Sequence, residues 1–426
     1  MTYLNNLFSL DYFATINAVK NPKQFRLILS LATLGFIAVT AFLVLKTAQG
    51  YRLDLKNKAF SSTGILAATS VPEGAQIWID GKLKTATDDN INLTPGQYQI
   101  EIKKDGFHSW QKELIIEEQL VTSAHADLFS KFPDFKALTF TGAISPVLSP
   151  DFQRVVFGTA TASAQKQGLW VLELSDSPLG FSREPRQIIK NTVGGRDFSK
   201  GSFTWSPDSK QVLATLTEEA TNGNVIERHF LVETDRLNSE QQLVSLSEIE
   251  LETLLERWKE EEDLRQTKDF SLLPAKLQEA LIGNVDELSF SPDQTKILYL
   301  ATASAVIPEG IVPPLPASNS QPEERQISAG KYYVYDLKED KNFAIQAKTE
   351  NDTFQTVSWF PTSGHIFIVV EDKVEIVEYD GANRLDAYSG QFENSFAFPF
   401  PDGKRILILT SFSKDTPPNL YAVSLR

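Results

Sequence analysis

The chain has 426 residues, 42% of them apolar and 11% aromatic, a net charge of -14 and no cysteine. That much apolar side chain fills more than one core and excludes a disordered chain. The lack of cysteine excludes disulfides, thiol catalysis and cysteine-ligated zinc. Charge is uneven: residues 1–60 carry seven Lys/Arg against Asp11 and Asp54, and the remainder holds 34 basic and 53 acidic residues, a net of -19. An acidic body repels phosphate backbones, so nucleic acid is not expected as a partner.

The first element is a run of nineteen uncharged residues, Leu27 to Leu45, between Arg26 and Lys46. A helix of that length spans about 28 Å, close to the ~30 Å hydrocarbon core of a bilayer. Residues 27–45 are therefore expected to be an uncleaved transmembrane helix, with 1–26 a short arm and 46–63 a juxtamembrane linker. Lys20, Lys23 and Arg26 on one side nearly balance Lys46, Arg52, Lys56 and Lys58 on the other. The short arm favours an N-terminus in the cytoplasm and the rest outside it, with the reverse topology, an inward-facing scaffold, as the alternative.

Residues 64–129 change to period-two alternation. Ala75 to Asp80 alternates as a half-buried strand does. Asp80-Gly81, Thr94-Pro95-Gly96 and Lys104-Asp105-Gly106 are turn signals between further strands. A small antiparallel β-sandwich follows. Val71-Pro72-Glu73-Gly74-Ala75, Ile77-Trp78-Ile79-Asp80-Gly81, Leu93-Thr94-Pro95-Gly96 and Lys104-Asp105-Gly106-Phe107 resemble the PEGA domain. The resemblance implies a spacer or adhesion module without catalysis. Thr85 to Asn90 departs from the usual Gly-x-x-Pro loop of that family.

Residues 131–426 carry an irregular repeat: Leu148-Ser-Pro-Asp151, Trp205-Ser-Pro-Asp208, Phe290-Ser-Pro-Asp293, Trp359-Phe-Pro-Thr362 and Phe398-Pro-Phe-Pro-Asp402, each running into a β-rich stretch. Pro presets the turn and Asp closes it on its own backbone. Repeated hairpins followed by further strands make a β-propeller. These copies resemble TolB-type, WD40-like repeats. Five blades are favoured and six are the alternative, with Phe135 to Phe140 available to complete the last blade and close the ring. The whole order of elements resembles surface proteins of small-genome bacteria.

Two insertions interrupt the repeat. The insertion 247–281 has a helical core, Ser247 to Leu264, with Leu251, Leu254, Leu255 and Trp258 at i, i+3, i+4, i+7, and a second short helix from Pro274 to Leu281. Residues 303–330 hold five prolines and read as extended. Either insertion is a candidate for partner binding.

No catalytic, cofactor-binding or metal-ligating residue is assigned. His108, His125, His229 and His365 fall in separate units without ligand spacing, and no nucleophile elbow or phosphate loop occurs. Asp151, Asp208, Asp293 and Asp402 read as turn formers. The expectation is a mainly β, non-enzymatic, single-pass envelope protein of the cell membrane. Its propeller would bind an envelope protein or a cell-surface polysaccharide. The alternative is a propeller glycosidase, recognised by two carboxylates about 5–9.5 Å apart in the central funnel.

Overall fold

The structure is a computed structural model. It describes residues 22–48, 51–54, 59–160, 163, 165–176, 183–191, 196–219, 225–345, 354–413 and 416–426. The chain divides into two compact units, one of residues 1–66, 90–96 and 116–122, the other of residues 67–89, 97–115 and 123–426.

In the first unit, helix α1 (Pro22–Ala48) contains the apolar run. Its stretch Arg26–Leu45 is strongly apolar and none of it is buried. The hydroxyls of Ser30, Thr33 and Thr40 donate back to the carbonyls of Leu27, Leu29 and Phe36. These three hydroxyls are thereby satisfied within the helix, as a hydrocarbon medium requires. By length and composition α1 can cross a bilayer. Tyr51–Asp54 pairs with Ala59–Ser62 in an antiparallel hairpin.

The second unit begins in the small domain. Gln76–Ile79 pairs with Lys82–Ala86 and with Gly96–Lys103, and Trp110–Ile116 is the fourth strand of that sheet. The hairpin turn falls on Asp80-Gly81, with φ 48° and 72°, as the sequence signal requires. Ile77, Ile79, Ile100, Ile102 and Leu114 form its buried face.

Five antiparallel sheets of three or four strands follow among the described residues. Four are four-stranded and one is three-stranded. Sheet I is Ile144–Leu148, Arg154–Thr159, Gly168–Glu173 and Arg186–Lys190. Sheet II is Ser202–Trp205, Gln211–Glu219 and Val225–Glu233. Sheet III is Val285–Phe290, Lys296–Ala301, Tyr332–Asp336 and Lys341–Ile345. Sheet IV is Phe354–Trp359, His365–Val370, Lys373–Glu378 and Leu385–Ser389. Sheet V takes Ala397–Pro399, Arg405–Thr410 and Asn419–Ser424 from the end of the chain and Phe135–Ala137 from before sheet I. Phe135 lies opposite Val423 and Ala137 opposite Tyr421, so the two ends of the repeat region are hydrogen-bonded into one sheet.

The recurring motif makes the same turn in every sheet. In three copies the serine hydroxyl lies against the aspartate: Ser149 on Asp151, Ser206 on Asp208 and Ser291 on Asp293, at 2.5, 2.7 and 2.7 Å. The following residue is left-handed throughout: Phe152, Ser209, Gln294, Ser363 and Gly403, with φ 57–63°. Burial pushes the Asp208 and Asp293 carboxyls up, and the donors of the turn overcome it, holding both below the usual range. Neighbouring sheets are stapled at these turns. The Asp151 amide donates to Ser209 Oγ at 3.1 Å and the Asp293 amide to Ser363 Oγ at 3.0 Å. Trp205 and Trp359 each donate their indole N–H to the preceding sheet, at the carbonyls of Val147 and Ser289. Apolar clusters join I to II, III to IV, IV to V, and V back to I. This is a β-propeller-like fold.

The helical insertion lies between sheets II and III. Helix α2 (Glu248–Ser271) starts on a capping box between Ser247 and Glu250. It is seven residues longer at its C-terminus than the core read from sequence. Leu254 and Trp258 pack on Leu213 and Leu231 of sheet II. Leu255 stays 43% exposed, so the apolar stripe is narrower than its spacing suggests. Helix α3 (Ala275–Leu281) buries Leu277 and Leu281 against Ile297 and Tyr299 of sheet III. The proline-rich insertion carries a short ladder, Ala305–Val306 on Gln326–Ile327, with Ile307 and Ile327 buried.

Candidate functional site

Strand Trp110–Ile116 turns Trp110, Leu114 and Ile116 inward, and Lys112 shares their face. An ammonium at an inward position needs carboxylates. It finds two on the turn that leaves Lys373–Glu378. Lys112 Nζ contacts Glu378 Oε2 and Asp380 Oδ2, with side-chain exposures of 9%, 7% and 0%. The Trp110 indole donates to Glu378 Oε1. Asn383 donates to the same oxygen at 3.0 Å and accepts from the Gln111 amide at 2.8 Å.

The proline-rich insertion closes this seam. Asn319 Nδ2 donates to Asp380 Oδ2 at 2.6 Å and to Tyr379 Oη at 3.0 Å. Ser320 Oγ and Gln321 Nε2 both donate to the Glu113 carbonyl, at 2.8 and 3.1 Å. On the far side Lys296 Nζ stands 4.5 Å from the Tyr379 ring centre and 3.8 Å from Asp336. Three elements remote in sequence therefore meet on Lys112: a strand of the small domain, a turn of sheet IV and the insertion of sheet III.

Burial alone would lower the Lys112 ammonium, and Asp380 and Glu378 overcome it, holding it above the usual lysine range. Burial pushes Glu378 up against the opposing pull of Lys112. A lysine kept charged in this way is neither a general base nor a Schiff-base nucleophile. The arrangement binds elements together and carries no evident chemistry.

A second polar joint lies at the end of the small domain. Leu128 and Phe129 are fully buried, and Phe129 enters the core shared by sheets IV and V. The Ser130 amide donates to the Leu425 carbonyl at 2.8 Å. Asp127 sits between Arg426 Nη2 at 2.7 Å and His365 Nδ1 at 3.6 Å. Burial drives the His365 imidazole down to about 4 despite Asp127. His365 is therefore neutral near pH 7.

The four histidines are partly brought together. His125 approaches Asp127 at 3.9 Å, so it and His365 flank one carboxylate, which Arg426 also pairs. His229 bonds Thr215 at 3.0 Å, and His108 lies apart. Among the described residues no group of three or more His, Asp or Glu is placed to hold a metal. Asp151, Asp208, Asp293 and Asp402 all close turns. Sequence reasoning missed Lys112. Its signal was a lysine in the apolar phase of Trp110-Gln-Lys-Glu-Leu-Ile-Ile116.

The PEGA domain family model matches residues 63–129, the span of the small domain. Solved structures resemble the chain at low identity. TolB from Acinetobacter baumannii is 12% identical, over 77% of this chain and 60% of its own, with a TM-score of 0.21. Hydrazine synthase from Kuenenia stuttgartiensis is 12% identical, over 81% and 86%, with a TM-score of 0.19. An oligogalacturonate lyase in complex with manganese is 10% identical, over 78% and 86%, with a TM-score of 0.21. The chain thus spans 60% of the length of the TolB chain it matches. No curated protein matches the sequence.

Proposed function

We propose that this is a non-enzymatic, single-pass protein of the bacterial cell envelope. Its five sheets are the blades of a propeller that binds a protein or glycan partner outside the cytoplasm. The PEGA domain is the spacer between blades and membrane. Residues 1–26 form the arm, 27–45 the anchor, 46–63 the linker, 64–129 the spacer and 131–426 the propeller.

The observation that carries this reading is the seam at Lys112. A spacer on a flexible linker would present its propeller at every angle. Here Lys112, Glu378, Asp380 and Asn319 hold small-domain residues against sheet IV without any exposed hinge between Asp127 and Lys131. Such a joint suits a fixed binding face and gives nothing to a hydrolytic reaction.

The test is binding by purified full-length chain in detergent. One arm uses isolated cell-wall polysaccharide in co-sedimentation. The other uses cross-linking to solubilised envelope proteins with identification of the adduct. Saturable binding in either arm without substrate turnover supports the proposal. Release of reducing ends from the polysaccharide would overturn it in favour of a glycosidase. External protease on intact cells checks orientation, since a protected propeller contradicts it.

A further inference from the structure

Sheet II differs from the other four: among the described residues it has no fourth strand. Its second and third strands are also the longest among the described residues, nine residues each, paired from Gln211↔Glu233 to Glu219↔Val225. The first strand accompanies them only as far as Ser202↔Thr215. On the outer side a single bridge, Phe230↔Ser245, takes the place of a strand. Leu216–Glu219 and Val225–Arg228 therefore form a two-stranded arm that runs past its sheet. A ribbon of that kind is marginal alone and offers unpaired backbone to another strand.

The phase of the free edge is fixed. The His229 carbonyl accepts from the Leu246 amide at 2.8 Å, so His229 faces outward. Alternation then turns Val225 and Glu227 outward as well, and Ile226 and Arg228 inward to the second strand. The N–H and C=O groups of Val225 and Glu227 meet no partner among the described residues. Val225 is 64% exposed and Ile226 44%. Arg228 is held on its own ribbon by Glu218 at 2.8 Å.

We propose that this edge pairs with the same edge of a second copy, antiparallel across a two-fold axis through Ile226. An isologous pair must be self-complementary, and this register is. Val225 lies opposite Glu227 of the second copy, and each such pair exchanges both of its hydrogen bonds. Ile226 meets Ile226 of the second copy, apolar on apolar, and no like charges are directly opposed. A register centred on Glu227 would set carboxylate on carboxylate and would need the His229 carbonyl, which Leu246 already occupies. The contact is far smaller than the roughly 1,200–2,000 Å² of a free-standing interface. It holds between copies confined by their anchors to one membrane, and so it rests on the anchor reading above.

The chain has no cysteine, so single-cysteine variants are clean probes. Full-length Ile226→Cys, Val225→Cys and Glu227→Cys are placed in membranes, oxidised with copper phenanthroline and run without reductant. The two Ile226 positions form a non-hydrogen-bonded pair with Cα atoms about 4.5 Å apart, within disulfide reach. The other positions meet themselves only diagonally, at about 7–8 Å. The expected result is a band at twice the chain mass for Ile226→Cys, several-fold stronger than for either neighbour. Adding Glu227→Pro removes an outward N–H and none of the bonds to Gln211–Glu219, so the band is lost while proteolytic resistance is kept. Equal cross-linking at all three positions, or an adduct of another mass, overturns the proposal. Carbonate extraction separates the two claims: release of the chain sinks the anchor. The alternation of cross-linking, measured on the concentrated released chain, then still decides the pairing.

Discussion

Replacing Lys112 by methionine tests the seam directly. The substitution keeps most of the stem that covers Trp110 and removes the ammonium shared by Glu378 and Asp380. Both carboxylates are almost wholly buried, and among the described residues Asp380 keeps only the Asn319 amide and the Ala382 N–H as donors. Removing one member of a buried ion network leaves uncompensated charge and costs roughly 3–5 kcal/mol. Part of that cost is escaped by protonating Glu378, which burial already raises. The expected loss is therefore about 3 kcal/mol near pH 7 and less near pH 5. The assay is urea unfolding of the detergent-solubilised chain, with hydrogen exchange read on Trp110–Ile116. Protection should fall there first and remain in sheet I. The triple variant Lys112→Met, Glu378→Gln, Asp380→Asn should recover at least half of the loss, because no buried charge is left unpaired. A loss below about 1 kcal/mol for Lys112→Met, in the range of an exposed ion pair, would refute the reasoning.

Further expectations concern single sites. His365 has a folded pKa of about 4 against an ordinary value of 6.5. Below pH 6.5 the unfolded chain binds a proton that the folded chain refuses, so stability falls with pH, by roughly 3 kcal/mol in all between pH 6.5 and 4. His365→Gln should lose that component in urea titrations at pH 7, 5.5 and 4.5, and equal slopes in both proteins would contradict the assignment. Gly168→Ala sets a Cβ 2.1 Å from the Ile189 carbonyl oxygen at φ +138°, so it should destabilise sheet I by at least about 2 kcal/mol in the same assay. Gln294→Gly relieves a left-handed turn residue and should stabilise by roughly 0.5–1 kcal/mol, seen as a higher melting temperature. Ser247→Ala removes the cap of α2 and should cost about 1 kcal/mol, measurable as faster exchange in the first turn of that helix.

Local chemistry was legible in the sequence wherever one short segment determines the outcome. The uncharged run before Lys46, the Asp80-Gly81 hairpin and the five motif turns depend on residues within a few positions of each other. The strand Phe135–Ala137 also followed from its place in the repeat, since the last copy is one strand short. The length of α2 did not, because Arg265 to Ser271, polar except for Phe270, continues the helix beyond its apolar stripe. Leu255 was misplaced for a related reason: spacing gives a face but not how much of it a neighbour covers. The 303–330 insertion read as extended, and Ile307, Ile327 and the Arg325 bonds to the Pro308 and Asp340 carbonyls, which spacing does not reveal, give it fixed structure. The seam was out of reach for a different reason. Lys112 and its carboxylates are 266 and 268 positions apart, and in an alternating strand a lysine is ordinarily taken for an exposed residue.

Small-domain residues and the propeller-like sheets are expected to move as one body. Spin labels on Lys84→Cys and Lys404→Cys, both exposed and otherwise in a cysteine-free chain, measure this by double electron–electron resonance. A single narrow distance distribution that broadens when Lys112→Met is added is the expected result. A broad distribution in the protein with Lys112 intact would contradict the rigid spacer.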